Sequence, residues 1–437
     1  MGFCQKLKPI FISLSPNTEK DDILLALKLL FQPGKWKKNL KSQISNLKNF
    51  EEEFKEYLGI KYAFAFNSGR SAFLAILNSL DLEKDSEVLL QAFTCNAAVN
   101  PIIWSGLKPV FVDIKKETLN IDPEDLKRKI SPKSRAIVVQ HTFGLPAFAK
   151  ASAGRPADMN EILEICKRYN LILIEDCAHS LGAAYQGKKI GTFGKAAFFS
   201  FGRDKIISSV YGGMAVTNDP LLARKLRQAQ AKIDYPSNFW IFQQLLHPIL
   251  TNFLIMPFYS FFGFGRWILI FFQKTKVLSK AVHKKEKRGE KPAYFSRKMP
   301  NALAILALNQ FKKLDKFIGH QKEIAKLYDE NLKDSGFLLP QKDSERVYMR
   351  YSLLIEKGSP DGILKKARKK KIFLDDGWRK TPIVPLDTNQ AKMNYRFGSC
   401  PIAERVAKTI LNLPTHINIS KKDSQKIIDF LKSLKNP

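Results

Sequence analysis

The sequence predicts an α/β fold in which a mainly parallel sheet is covered by helices on both faces and followed by a smaller C-terminal α+β domain. Short apolar runs at 62–66, 87–91, 109–113, 136–140 and 171–176 alternate with helical patterns at 71–80, 123–130 and 159–169. Runs that are apolar throughout mark strands buried on both faces, as parallel strands joined through helices must be. The length of 437 residues, with 45% hydrophobic content, is enough for a large core and a second, smaller one.

The first residues read as helix over 20–58, broken at Phe31-Gln-Pro-Gly34; the second half, NLKNFEEEFKEYL, is amphipathic and stops at Gly59. The strand–helix alternation follows. In such sheets ligands lie beyond the carboxyl ends of the strands. The segments in that position are NSGRS after the first run, FTCNA after the second, HTFG after the fourth and DCAH at the end of the fifth. A helix after Asp219 closes a first region, 1–235. The second region, 236–297, is of different material: residues 238–272 hold Arg266 as their one certain charge, and a lysine-rich connector follows at 274–291. The third, 298–437, opens with the helical NALAILALNQFKKLDKF and continues in mixed helix and strand. At 145–158, Pro-Ala occurs twice and brackets FAKASAGR, the pattern of a short insertion with duplicated ends. Loop closure entropy grows slowly with length, so a surface bulge without catalytic role is expected there.

Composition narrows the setting. The 72 basic and 41 acidic residues leave a formal charge of +31, a field that attracts anionic surfaces or substrates, or else a plainly solvated lysine-rich face. No nucleic-acid motif with interleaved aromatics accompanies the charge, and no nucleic-acid partner is expected. The five cysteines are odd in number, scattered and without CxxC spacing, which argues against a disulfide framework or a metal site and for a reducing cytoplasm. The N-terminal residues lack the apolar run of a signal peptide.

The chemistry concentrates in residues 174–218. Asp176 ends a buried strand, where an unpaired carboxylate is costly. A protonated pyridine nitrogen would be a partner for it, as in pyridoxal phosphate (PLP), whose ring is a far better electron sink when that proton is held. Lys205 follows the strand-like AAFFSF and could present its amine to the same pocket to form a Schiff base. Ser200 lies five residues earlier, where a hydroxyl could bind phosphate, and Gly212-Gly213 allow a tight turn behind the lysine.

With these residues in place, the chain resembles the DegT/DnrJ-type sugar aminotransferases, PLP-dependent enzymes of fold type I with the aspartate-aminotransferase-like fold. The motifs FEEEFKEYLGIKYAFAFNSGRSA, PVFVDI, GLP…ADMNEI, IEDCAHSLGA, FSFGRDK, GGMAVTND, ALNQFKKLD and CPIAERVAKTILNLPTH stand in the right order over nearly the whole length. The resemblance implies Lys205 as the Schiff-base lysine, Asp176 as the pyridine partner and His179 beside the ring hydroxyl. Ser68 and Gly69 would give backbone N–H groups to the phosphate at a helix N-terminus, Ser200 would add its hydroxyl, and Arg70 and Cys95 would line the cofactor site. Each has a plainer reading: Asp176 as a cap or structural pair, His179 as a satisfied core histidine, Ser68-Gly69 as a capped turn. His141 and His416 also fall in family motifs and are expected to be structural.

Departures from the pattern are Arg70 for a small threonine, Cys95 for an aromatic ring stacked on the cofactor (with Phe93 or a neighbour as substitute), Phe295-Ser296 for an asparagine given by the partner subunit, and Tyr211 for a glutamate. The implied reaction moves an amino group from an amino acid, most often glutamate, to a nucleotide-linked keto-sugar for surface polysaccharide or related glycan synthesis, in a homodimer. A PLP-dependent sugar dehydratase is disfavoured because that branch resembles sequences with histidine at the lysine position. A non-catalytic PLP-binding regulator would need to have lost Lys205 or Asp176. For the apolar stretch, Pro248, Pro257, Gly263 and Gly265 argue against one clean spanning helix. Two readings remain beside a partner protein: a hairpin at the inner face of the membrane, peripheral or monotopic, with contact through 238–291, or a buried subdomain or dimer interface.

Overall fold

A computed structural model describes residues 9–37, 46–147, 158–259, 263–356 and 358–434. The expected insertion at 145–158 falls, apart from its ends, outside them. Seven strands form the central sheet in the order Tyr62–Phe66, Gly213–Thr217, Ala196–Ser200, Ile172–Asp176, Ser134–Gln140, Glu87–Gln91, Lys108–Val112. All run parallel except Gly213–Thr217, which is antiparallel to both its neighbours. The apolar runs therefore are the buried strands of a mainly parallel sheet flanked by helices, a fold-type-I architecture. Gly213–Thr217 is a strand where the sequence pattern offers only the turn at Gly212-Gly213. It has no crossover helix before it, so the strand–helix rhythm does not announce it.

Register does the positioning. Phe198 pairs with Asp176, Ser200 with Gly213 and Gly213 with Phe66. One row of the sheet thus brings Ser200 next to the point where the chain leaves Phe66 for Ser68 and Gly69. Behind this row the helix Asn46–Leu58 buries Phe50, Phe54 and Leu58 on one face. Phe50 and Phe54 pack edge-on against Phe201, with ring centroids 5.1 and 5.7 Å apart, and Phe54 against Phe199 at 5.0 Å. Burial of each such ring contributes up to about 3 kcal/mol, and it anchors the base of the loop that carries Lys205.

The smaller domain has its own core, with Tyr328, Tyr351, Leu353, Leu413 and Ile427 fully enclosed. Its antiparallel sheet consists of Phe337–Leu338, Tyr351–Ile355 and Ile410–Leu413, and the helices Leu314–Leu332 and Lys421–Lys432 pack together beside it. The N-terminal pair Ile10–Phe11 joins this side of the molecule by pairing in parallel with Ile372–Phe373. Helix Asn301–Phe311 contributes Ala302, Leu303, Leu306 and Ala307 to the main core.

The apolar stretch folds as two packed helices. Asn238–Leu250 continues through a π turn, Thr251–Ile255, to Met256–Phe258; the Pro248 carbonyl accepts from the Thr251 N–H and from the Asn252 side chain, the latter at 2.8 Å. Trp240, Ile241 and Leu245 are buried, and the helix lies against Lys20–Leu30. The second helix, Phe264–Lys274, crosses the end of the first at Gly265, where a Cβ would stand 2.1 Å from the Ile255 carbonyl oxygen. Only glycine permits that approach.

Candidate active site

The strand ends and the following loops enclose a cavity of about 370 Å³. Ser68, Gly69, Arg70, Cys95, Asp176, His179, Ser200 and Lys205, the residues singled out from sequence, all line it.

Ser68 caps the helix Gly69–Ser79, its Oγ accepting from the Ser71 N–H at 3.1 Å. Its hydroxyl is occupied in this way, so the anion-binding capacity of this corner lies in the first N–H groups of the helix, which have no partner within the helix. The corner is tightly built. A Cβ on Gly69 would lie 2.9 Å from Ser200 Cβ, and one on Gly213 would lie 2.3 Å from the Gly69 nitrogen. Replacing Gly213 with alanine is expected to push the helix start away from Ser200, costing about 3 kcal/mol and weakening PLP uptake; thermal melts and PLP titration would show both.

Asp176 is buried, with the Ala178 N–H donating to its Oδ1 at 3.0 Å. Burial pushes its carboxyl up from an ordinary 3.8 to about 6, against the pull of that hydrogen bond and of Lys205 and His141. A carboxylate so placed is stabilised by a cation arriving in the cavity. Lys205 reaches the same space, its amine 3.9 Å from Asp204 Oδ1. The Asn17 amide donates to the carbonyls of Lys205 and Ile206 at 2.9 and 3.0 Å, which fixes the backbone from which the amine extends. Burial alone would raise the Asp204 carboxyl, but Lys205 and Arg350 hold it below its usual range.

The His179 ring stacks on Phe143, 5.4 Å away and 2° from parallel, and lies 4.9 Å from Trp378. Burial, then the Lys205 and Arg350 cations, hold it well below the usual histidine range, so it is neutral. Its Nδ1 accepts from the Phe143 N–H at 3.5 Å, which leaves Nε2 to carry the proton.

Arg70 lies in the wall, but its guanidinium is committed to Glu286, which is fully buried, and donates to the Ala281 carbonyl at 3.1 Å. The guanidinium also sits 4.7 Å over the Phe295 ring. This wall residue thus ties the region 281–295 to the cofactor corner. Replacing Arg70 with alanine would strand a buried carboxylate, and a loss of about 3–5 kcal/mol is expected, read by denaturant unfolding; removing Glu286 as well, with glutamine, should restore part of it.

Phe93 corrects one expectation. It does not take the place of a stacking ring: it is fully buried, packs edge-on to Phe143 and Trp378 at 6.3 and 5.8 Å, and stands behind the cavity lining rather than in it. The aromatic side chains that do line it are Phe198, Tyr211 and Trp378. Trp378 and Asp376 come from a loop that carries no periodic signal in the sequence. Arg203 and Asp204, inside the motif FSFGRDK, line the cavity too, and no feature of the sequence marks them as distinct from its many other charges. His247, Leu269 and Gln273 bring the apolar region into the wall.

His141 and His416 are buried in hydrogen-bonded positions outside the cavity. His141 Nε2 lies 3.3 Å from Glu175, whose oxygens accept from the N–H groups of Gly191, Phe193 and Gly194, and His416 Nε2 lies 2.7 Å from the Phe11 carbonyl. Among the described residues, Cys95, Cys166, Cys177 and Cys400 are free thiols.

The donor set fits PLP: a cation-seeking buried carboxylate, an amine in the same cavity, and a helix N-terminus beside a serine hydroxyl in a corner too tight for side chains. Comparison with known proteins agrees. The sequence profile of the DegT/DnrJ/EryC1/StrS aminotransferase family matches residues 34–233 and 271–432. A GDP-perosamine synthase from Caulobacter vibrioides is 27% identical over 387 residues, which cover 87% of each chain. Among solved structures, Helicobacter pylori PseC, an aminotransferase involved in the biosynthesis of pseudoaminic acid, superposes with a TM-score of 0.71 at 22% identity, over 97% of this chain and 98% of that one. An E. coli GDP-4-keto-6-deoxy-D-mannose-3-dehydratase with bound hydrated PLP gives 0.70 at 22% identity, over 97% and 99%.

Proposed function

We propose, since the chain belongs to the DegT/DnrJ/EryC1/StrS aminotransferase family, that it is a PLP-dependent transaminase carrying an amino group from an amino acid, glutamate first among donors, to a nucleotide-linked keto-sugar in surface polysaccharide or related glycan synthesis. It works as a homodimer. The observation that carries this reading is the meeting of Lys205 and Asp176 in one cavity with the helix start at Ser68-Gly69.

Bound PLP supplies an electron sink for the carbanion left when a donor loses its α-proton. The backbone N–H groups at Gly69 and Arg70, with the Ser200 hydroxyl, would hold the phosphate end. Asp176 would hold a proton on the pyridine nitrogen, and burial would make that ion pair stronger than it is in water. His179, neutral and fixed against Phe143, would offer its Nε2–H to the ring hydroxyl. Lys205 Nζ would be the amine that holds the cofactor and the base that takes the proton from the donor's α-carbon. Asp204 and Arg350 pair beside it, 3.9 Å apart, and keep the loop's charges balanced.

Purified protein incubated with PLP, glutamate and a panel of nucleotide keto-sugars should release oxoglutarate in step with amino-sugar formation. Oxoglutarate release with free ammonia and a deoxygenated keto-sugar in place of an amino-sugar would point to the dehydratase chemistry instead, and no turnover with any member would count against the acceptor class.

A further inference from the structure

The apolar region presents one of its faces the wrong way round for a soluble protein. In Phe264–Lys274 the side turned to the protein carries the buried Gly265 and the half-buried Leu269 and Gln273, the last two in the cavity wall, whereas Phe264, Trp267 and Phe271 face outward. These three lie at i, i+3 and i+7, a single helical stripe. Trp267 is 69% exposed and Phe271 61%. Phe258, also exposed, meets Phe264 with ring centroids 6.3 Å apart, so the end of the first helix extends the patch, and Phe253 adds a further exposed ring on that helix. Contiguous exposed rings of this size mark a contact surface.

The charges beside the patch say what it contacts. Between 236 and 290 the only acidic residues are Glu286 and Glu290, and both are engaged, with Arg70 and Arg288. Arg266 on the helix itself, Lys274 at its end, and Lys276, Lys284 and Lys285 just beyond are exposed. An outward aromatic stripe with cations at its border matches the boundary between acyl chains and anionic headgroups. A second copy of the chain fits less well, because a two-fold contact would set this patch against itself, lysines facing lysines. Spanning fits less well too. Asn238–Phe258 is long and apolar enough to cross a bilayer, yet half of its apolar window is buried in the protein, and Gln243, Gln244 and His247 lie on its inner side.

We infer that the helix Phe264–Lys274, with the adjoining end of Asn238–Phe258, docks the enzyme on the surface of an anionic lipid bilayer, aromatic stripe inward. The opposite side of the same helix reaches the cavity through Leu269 and Gln273, so the docked membrane lies about one helix diameter, ~10 Å, from the reaction centre.

Co-sedimentation of the full-length, PLP-loaded protein with vesicles tests this without reference to turnover. Vesicles of phosphatidylcholine mixed with phosphatidylglycerol should bind the protein at least about tenfold more tightly than phosphatidylcholine alone, with binding weakened by salt. The variant Phe264→Ser/Trp267→Ser/Phe271→Ser should lose about tenfold or more of that affinity, with its circular dichroism and PLP content unchanged. A second variant, Lys274→Gln/Lys276→Gln/Lys284→Gln/Lys285→Gln, should lose mainly the preference for phosphatidylglycerol. The inference is overturned if wild-type protein stays in the supernatant with both lipids, or if the aromatic variant binds vesicles as wild type does while its oligomeric mass in solution falls, which would assign the stripe to a second copy.

Discussion

Replacing Lys205 with alanine is expected to lower transamination by about 10⁴-fold, with the protein still folded. Two losses combine in that figure. Without the amine, the cavity lining has no lysine to attach the cofactor covalently between turnovers and loses the base expected to take the α-proton. A positioned acid–base group alone contributes about 10²–10⁴-fold. The loop should survive the change, because its backbone is fixed from elsewhere: Asn17 grips the Lys205 and Ile206 carbonyls, and the Phe201 N–H donates to the Gly212 carbonyl at 2.9 Å. Borohydride reduction followed by mass spectrometry should add the cofactor's mass to wild-type protein and not to the variant. If the variant is still labelled, or turns over within about tenfold of wild type, another lysine performs the task.

How far the sequence alone reaches depends on which physical rule places a residue. Asp176 ends one strand buried on both faces, and Ser68 and Cys95 lie in the segments that follow two others, and the carboxyl edge of such a sheet gathers whatever stands there. Their meeting in one cavity was therefore legible from the apolar runs. Lys205 and Ser200 came from the same logic applied to 196–200. The strand Gly213–Thr217 was not legible as a strand, since it returns antiparallel without a helix to mark the crossover. Trp378, Asp376 and Arg350 arrive from the small domain, and nothing in local periodicity says which domain face closes over the sheet edge. The replacement of the stacking ring fell in the same blind spot. Phe93 is close to Cys95 in sequence, but a left-handed backbone conformation there, with φ of 57°, accompanies a ring buried among other aromatics while Cys95 stays in the cavity wall. Composition announced the apolar region, yet its side-by-side use, one side in the cavity wall and one to the outside, appears only when the helical wheel is set against neighbours.

Asp176→Asn is expected to separate the carboxylate's cost to the fold from its use to the cofactor. In the cofactor-free protein, burial raises the carboxyl from 3.8 to about 6. Below about pH 4 the group is protonated in both folded and unfolded chains and makes no difference. Between about 4 and 6 the folded chain holds more of its proton than the unfolded chain does, so stability falls as the pH rises. Above about 6 the full loss is present, about 3 kcal/mol from a shift of this size. Asparagine carries no such charge, so the cofactor-free variant should unfold at a higher temperature than wild type at pH 8 and at nearly the same temperature at pH 4. Adding PLP should reverse the order at pH 8, because a ring cation relieves the buried carboxylate in wild type and gives nothing comparable to the amide. Transamination should fall by about 10³-fold, the scale for removing one preorganised electrostatic partner from a water-excluded site. Thermal melts with and without PLP at the two pH values measure the first effect and initial rates the second. A variant whose cofactor-free melt is unchanged at pH 8, or whose rate matches wild type, would show that residue 176 neither bears a buried charge nor meets the ring.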